Sequence, residues 1–143
     1  MNNKSFNSVL VIGIGLIGGS ILKSLSESSF MGTSYGLDLN EDITKKAHSM
    51  GLIKNSDNSL EKIDKNCLVV LSVPILSLEE AVNLVKEKLS VEEVFFTDTL
   101  STKSKVLDYL QLNPTLTKRF VLSHPIAGSE KSGLANSTPS LFE

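Results

Sequence analysis

Short apolar runs alternate along the chain with segments whose apolar residues recur every three or four positions. Residues 8–13 (SVLVIG), 33–38 (TSYGLD), 67–73 (CLVVLSV), 93–98 (EVFFTD) and 119–123 (RFVLS) read as five strands. The third is almost wholly apolar, the pattern of a strand covered on both faces. Residues 16–29 predict a first helix. Residues 41–50 predict a second, with Asn40 as its cap and Gly51 as its stop. Leu78, Ala81, Val82, Val85 and Leu89 share one face of a helix over 77–89, and a further helix is expected over 103–110. Strand–helix alternation implies parallel strands joined by right-handed crossovers, hence an open, doubly wound, mainly parallel α/β sheet.

In such a sheet ligands sit beyond the carboxyl ends of the strands. The residues with chemical potential fall there: 13–18, Asp38, Ser72 to Pro74, 98–103 and 124–130. Gly13-x-Gly15-x-x-Gly18 follows a strand and opens a helix. The first glycine permits the tight turn. The second lets the backbone approach a pyrophosphate, and the third lets helix and strand pack closely. The helix start, at Leu16 and Ile17, offers free N–H groups and a partial positive charge. Asp38 follows the second strand, where its carboxylate can accept hydrogen bonds from a ribose 2′-hydroxyl and repel a 2′-phosphate. Leu39 and Asn40 come next, with no arginine, so NAD is expected over NADP. Together these features predict a Rossmann-type dinucleotide-binding domain. A flavin, another nucleotide, or a glycine turn without ligand are the alternatives. The Gly-Lys-Ser/Thr ending of a P-loop is missing.

Composition narrows the partners. The 143 residues carry a net charge of about −2 with lysines and acids interspersed, so no basic stripe points to nucleic acid. One cysteine, Cys67, lies in an apolar run, which excludes an intrachain disulfide and suits a reducing, cytoplasmic setting. The apolar run from Val9 to Leu22 is broken by four glycines, too short and interrupted for a membrane span and without a signal-peptide cleavage pattern. No cluster of His, Cys or Asp has metal-ligand spacing.

The remaining feature is the stretch HPIAGSEKSG at 124–133. Pro125 drives His124 toward an extended backbone. It lies just past a strand end, where the nicotinamide half of a dinucleotide is expected. An imidazole there can take a proton from a hydroxyl while a hydride leaves the same carbon. Ser101, after the fourth strand, can hydrogen-bond to the imidazole or to substrate. The alternative is that His124 only caps its loop. His48 reads as a helix-end cation, Asp98 as an acceptor for backbone N–H groups, and Ser72 and Pro74 as a cofactor-lining turn or a plain strand stop.

VIGIGLIGGS, YGLD, VVLSVPI, TDTLSTKSKV and HPIAGSEKSG…LF, in order from residue 9 to 142, resemble the N-terminal domain of prephenate and arogenate dehydrogenases. The resemblance implies an oxidative decarboxylation of a cyclohexadienol in tyrosine biosynthesis. In it, a hydride passes to the nicotinamide, His124 accepts the proton of the ring hydroxyl, and the ring carboxylate leaves as carbon dioxide. It implies that Ser101 sits between cofactor, histidine and substrate, with Ser129 and Glu130 beside the substrate. Prephenate is the expected substrate; arogenate, with NAD or NADP, and a nucleotide-binding module without activity of its own are the alternatives. The family also has a helical domain that forms a homodimer and supplies an arginine for the substrate carboxylate. The chain is expected to be dinucleotide-binding over 1–143, incomplete at its end and without that domain. Leu100 stands where a glycine often precedes the serine.

Overall fold

The computed structural model describes residues 5–60 and 63–143. Five strands form one sheet: β1 (Ser8–Ile12), β2 (Thr33–Leu37), β3 (Cys67–Leu71), β4 (Val94–Asp98) and β5 (Phe120–Val121). Their order is β2-β1-β3-β4-β5 and every pairing is parallel. Helices α1 (Leu16–Glu27), α2 (Glu41–Ser49), α3 (Leu78–Lys88), α4 (Ser104–Gln111) and α5 (Pro114–Thr117) make the crossovers. This is the expected doubly wound α/β architecture of Rossmann type.

The apolar runs are explained by burial on both faces. Along β1, Leu10 and Ile12 join one core with Val69, Leu71 and Phe96, under Val82 and Val85 of α3 and Val106 of α4. Val9 and Val11 point the other way and join Leu22 of α1 and Ala47 of α2. That alternation is the period of two of a pleated strand. Leu10 is 0 % exposed, so its truncation to alanine would cost about 2–5 kcal/mol.

Register brings the strand ends level. Ile12 pairs with Leu37 on one side and Leu71 on the other, and Leu71 pairs with Asp98. The chain leaves β1 outward to β2 and returns to β3 on β1's far side. The order therefore reverses between β1 and β3, where a crevice opens.

Three expectations are corrected. The fifth strand pairs over only two residues, because the chain from Leu122 onward turns irregular. α5 was not signalled, since Leu116 is its one buried residue; Pro114 at its first turn starts it. The stretch after the fifth strand, for which the sequence signals no element, folds back on α1 through short turns at Leu134–Asn136 and Pro139–Phe142. Lys23 donates to the Ser137 carbonyl at 2.7 Å and Ser24 to the Pro139 carbonyl at 2.7 Å. Gly19 allows this contact: a methyl group there would lie 2.8 Å from Leu134 Cδ1. These small residues have no periodicity to betray the packing.

Candidate active site

A cleft of about 390 Å³ opens at the reversal point. Gly13 and Gly15 after β1, Asp38 after β2, and Ser72 and Pro74 after β3 all line it. Five residues singled out in the sequence thus converge on one cavity, while Leu16, Ile17 and Gly18 stand behind it at the start of α1.

The three loop glycines do different things. Gly13 has φ +91°, and a methyl group on it would lie 2.2 Å from the Ser72 carbonyl oxygen. One on Gly18 would lie 1.9 Å from the Gly13 oxygen. Both are fixed by the fold's own packing. A methyl group on Gly15 would meet nothing within 4 Å, although Gly15 lines the cleft. Packing does not require glycine there; a group approaching from the cleft would. Behind it, α1 begins with no side-chain cap and no acid in its first turn. Its first N–H groups therefore have neither a capping partner nor a countercharge from the chain. The residues fit the pyrophosphate of a dinucleotide.

Asp38 is held in place and keeps acceptor capacity. Its Oδ2 accepts from the Ile14 amide at 2.9 Å and its Oδ1 from the Asn40 amide at 2.9 Å. Each carboxylate oxygen has a second lone pair, and the residue is half-buried at the cleft wall. Asn58, which sequence reasoning missed, donates to the Asp38 carbonyl at 2.8 Å, accepts from the Thr44 hydroxyl at 2.8 Å, and lines the cleft. It sits in a run of Asn, Asp and Ser whose composition signals only a loop. Leu39, Leu84 and Glu80 also line the cleft, and no lysine or arginine does among the described residues.

The histidine side is built differently. His124 and Ser101 are exposed, and neither side chain has a hydrogen bond among the described residues. Both lie on irregular chain past β4 and β5, outside the cleft. Their preceding residues share one anchor. Asp98 is fully buried; its Oδ2 accepts from the Leu100 amide at 3.1 Å and its Oδ1 from the Ser123 amide at 3.3 Å. Asp98 thus satisfies backbone N–H groups. Lys103, to which the sequence assigned no chemistry, donates to the Asp98 carboxylate and to the Ser123 carbonyl. Leu100 packs against the core, so the turn accommodates a leucine before Ser101. Ser72 accepts from Thr99 Oγ1 at 3.2 Å, tying this side to the cleft.

Ser129 accepts from the Lys131 amide at 3.1 Å, and Glu130 is exposed without a bonded partner among the described residues; neither lines the cleft. His48 lies 3.3 Å through Nδ1 from the Ile53 carbonyl at the end of α2, a structural contact. Burial pushes the Cys67 thiol above its ordinary range, which fits a core residue. Burial, then the neighbouring Asp64, raises the Tyr35 hydroxyl likewise. No group of three metal-ligating side chains occurs among the described residues, and none of their helices is long and apolar enough to cross a membrane.

Residues 21–143 match the family profile described as prephenate dehydrogenase, nucleotide-binding domain. A prephenate dehydrogenase of Bacillus subtilis is 32% identical over 99% of this chain and 38% of its own length. A cyclohexadienyl dehydrogenase of Zymomonas mobilis is 29% identical over 96% of this chain and 47% of its own length. The crystal structure of prephenate dehydrogenase from Aquifex aeolicus, in complex with hydroxyphenyl propionate and NAD+, superposes with a TM-score of 0.85. It is 37% identical over 99% of this chain and 49% of that one. The chain therefore spans less than half the length of each of these relatives.

Proposed function

The chain belongs to the prephenate dehydrogenase family, as its nucleotide-binding domain, and on that premise we propose that it binds NAD and carries the proton-accepting histidine for oxidative decarboxylation of prephenate. The observation that carries this reading is the convergence of Gly13, Gly15, Asp38, Ser72 and Pro74 on one cleft, with open space at Gly15.

In this reading the α1 start and the Gly15 backbone hold the pyrophosphate, where N–H groups and the helix dipole favour negative charge. Asp38 accepts from the adenosine ribose hydroxyls. Its charge, with Glu80 nearby and no cation in the wall among the described residues, disfavours a 2′-phosphate, which supports NAD over NADP. Bound NAD supplies the hydride acceptor. His124 takes the proton from the ring hydroxyl as the hydride departs. Ser101 orients substrate and imidazole, and Ser129 and Glu130 meet the substrate's polar groups. Loss of carbon dioxide aromatises the ring, so the protein's task is orientation and proton acceptance. The reaction would serve tyrosine formation, in an enzyme that pairs this domain with a helical, dimer-forming one.

The test is NADH formation, followed by absorbance, from NAD and prephenate, with arogenate and NADP as competing pairs. Turnover of prephenate with NAD is expected. Turnover only of arogenate would move the substrate assignment, and none of either by a protein that binds NAD would overturn the catalytic one.

A further inference from the structure

The two exposed residues assigned to chemistry, Ser101 and His124, sit on separate loops after different strands. Neither loop has regular structure, and neither side chain is fixed by a hydrogen bond among the described residues. Orientation at such a site must come from what holds the backbone. One buried group holds both: the Asp98 carboxylate accepts from the amide of Leu100, immediately before Ser101, and from that of Ser123, immediately before His124.

Four further bonds close the arrangement. The Ser123 hydroxyl donates to the Asp98 carbonyl and accepts from Thr97 Oγ1 at 3.1 Å. Lys103 donates to the carboxylate and to the Ser123 carbonyl. The lysine side chain is 25% exposed and the aspartate 0%. The lysine ammonium thus pairs with a buried carboxylate, where an unpaired charge would be costly. A charged carboxylate offers acceptors on both oxygens, which two amide donors on opposite oxygens require; a neutral acid or an amide would present a donor to one of them.

We infer that Asp98, Lys103 and Ser123 form a positioning device that sets the Ser101 and His124 loops against one another, with Lys103 bonded to both the carboxylate and the Ser123 carbonyl. This rests on the reading that Ser101 and His124 serve the reaction. The three are positioning residues, acting through the backbone of their neighbours. They lie apart from the β1–β2–β3 cleft, so their loss should spare NAD.

The experiment compares wild type with Lys103→Met, Lys103→Arg and Asp98→Asn in the dehydrogenase that carries this domain. Turnover with NAD and prephenate is measured beside NAD affinity and amide hydrogen exchange. Lys103→Met and Asp98→Asn should lower kcat by about tenfold or more, the scale of a lost orienting contact. NAD affinity should stay within about twofold, and exchange should quicken at Leu100 and Ser123 but not at Ile14. Lys103→Arg, whose guanidinium can still donate to both acceptors, should recover most of the turnover. Unchanged kcat with unchanged exchange at the two amides would overturn the proposal. So would a parallel loss of turnover, NAD binding and exchange protection throughout the domain, the mark of a merely structural role. Wild-type protein without turnover would instead sink the catalytic reading; quickened exchange at both amides together in Asp98→Asn would still establish the coupling of the loops.

Discussion

Asp38 and Asp98 stand at the carboxyl ends of parallel strands along the same edge of one sheet, in opposite surroundings. Asp38 is half-buried, takes one backbone amide on each oxygen, and faces a cleft. Asp98 is fully buried, takes an amide on each oxygen as well, and is met by Lys103. Both carboxylates anchor a loop. The difference is what remains: Asp38 keeps lone pairs on the cleft side, whereas Asp98 is closed off by a cation. Residue type and position relative to the strand thus do not settle a carboxylate's task; exposure and the presence of a countercharge do. The same division separates a cofactor half, around β1 to β3, from a histidine half, around β4 and β5.

The comparison breaks most readily at His124. His124→Asn should cost about 10²–10⁴-fold in turnover, the usual worth of a positioned proton acceptor, with NAD affinity unchanged. Kinetics beside calorimetric titration would show it. A matching loss of NAD binding would mean the two halves are not separate.

Stability sharpens it next. Lys103→Met leaves the Asp98 charge buried and unpaired, which should cost about 3 kcal/mol in denaturant unfolding. Asp38→Ala should cost less than half as much, because water can reach its loop. Equal losses would erase the distinction between the two acids.

Ligand discrimination comes third. Asp38→Ala should weaken NAD by about tenfold, the worth of a hydrogen bond to a charged acceptor, and narrow the gap to NADP. An unchanged NAD to NADP affinity ratio would remove Asp38 from the ribose.

The smallest effect belongs to Asn40, whose side chain accepts from the Asp42 amide at 3.1 Å and caps α2. Asn40→Ala should cost about 1 kcal/mol and leave NAD affinity as it was. A change in NAD affinity would show that the α2 cap and the Asp38 turn act as one unit.

The sequence made the cofactor half legible because its determinants are local. Apolar runs mark β1, β2 and β3, the glycines sit in one turn, and Asp38 follows its strand directly. Asn40 was also readable as a cap, because capping is decided within one helical turn. The histidine half was readable only in part. The stretch around His124 stood out, but the bonds that hold it join residues far apart in the chain: Lys103 to Ser123, and Asp98 to both loops. Asn58 was hidden for the same reason, as its partners Thr44 and Asp38 lie on other elements. The fold-back of the stretch after Gly133 onto Gly19 depends on close packing of small residues, which leave no periodic trace.

The central claim is that the space at Gly15 is kept for a dinucleotide. The direct measurement is a titration of this chain and its Gly15→Val variant with NAD, alongside thermal unfolding of both. Gly15 has a negative φ of −85°, and a Cβ added there would meet no neighbour within 4 Å, so the melting temperature should move little. Saturable binding by the wild type, weakened by about tenfold or more in the variant (at least about 1.4 kcal/mol), is the expected result. Equal affinity of the two proteins, or no binding by a folded wild type, would contradict the account.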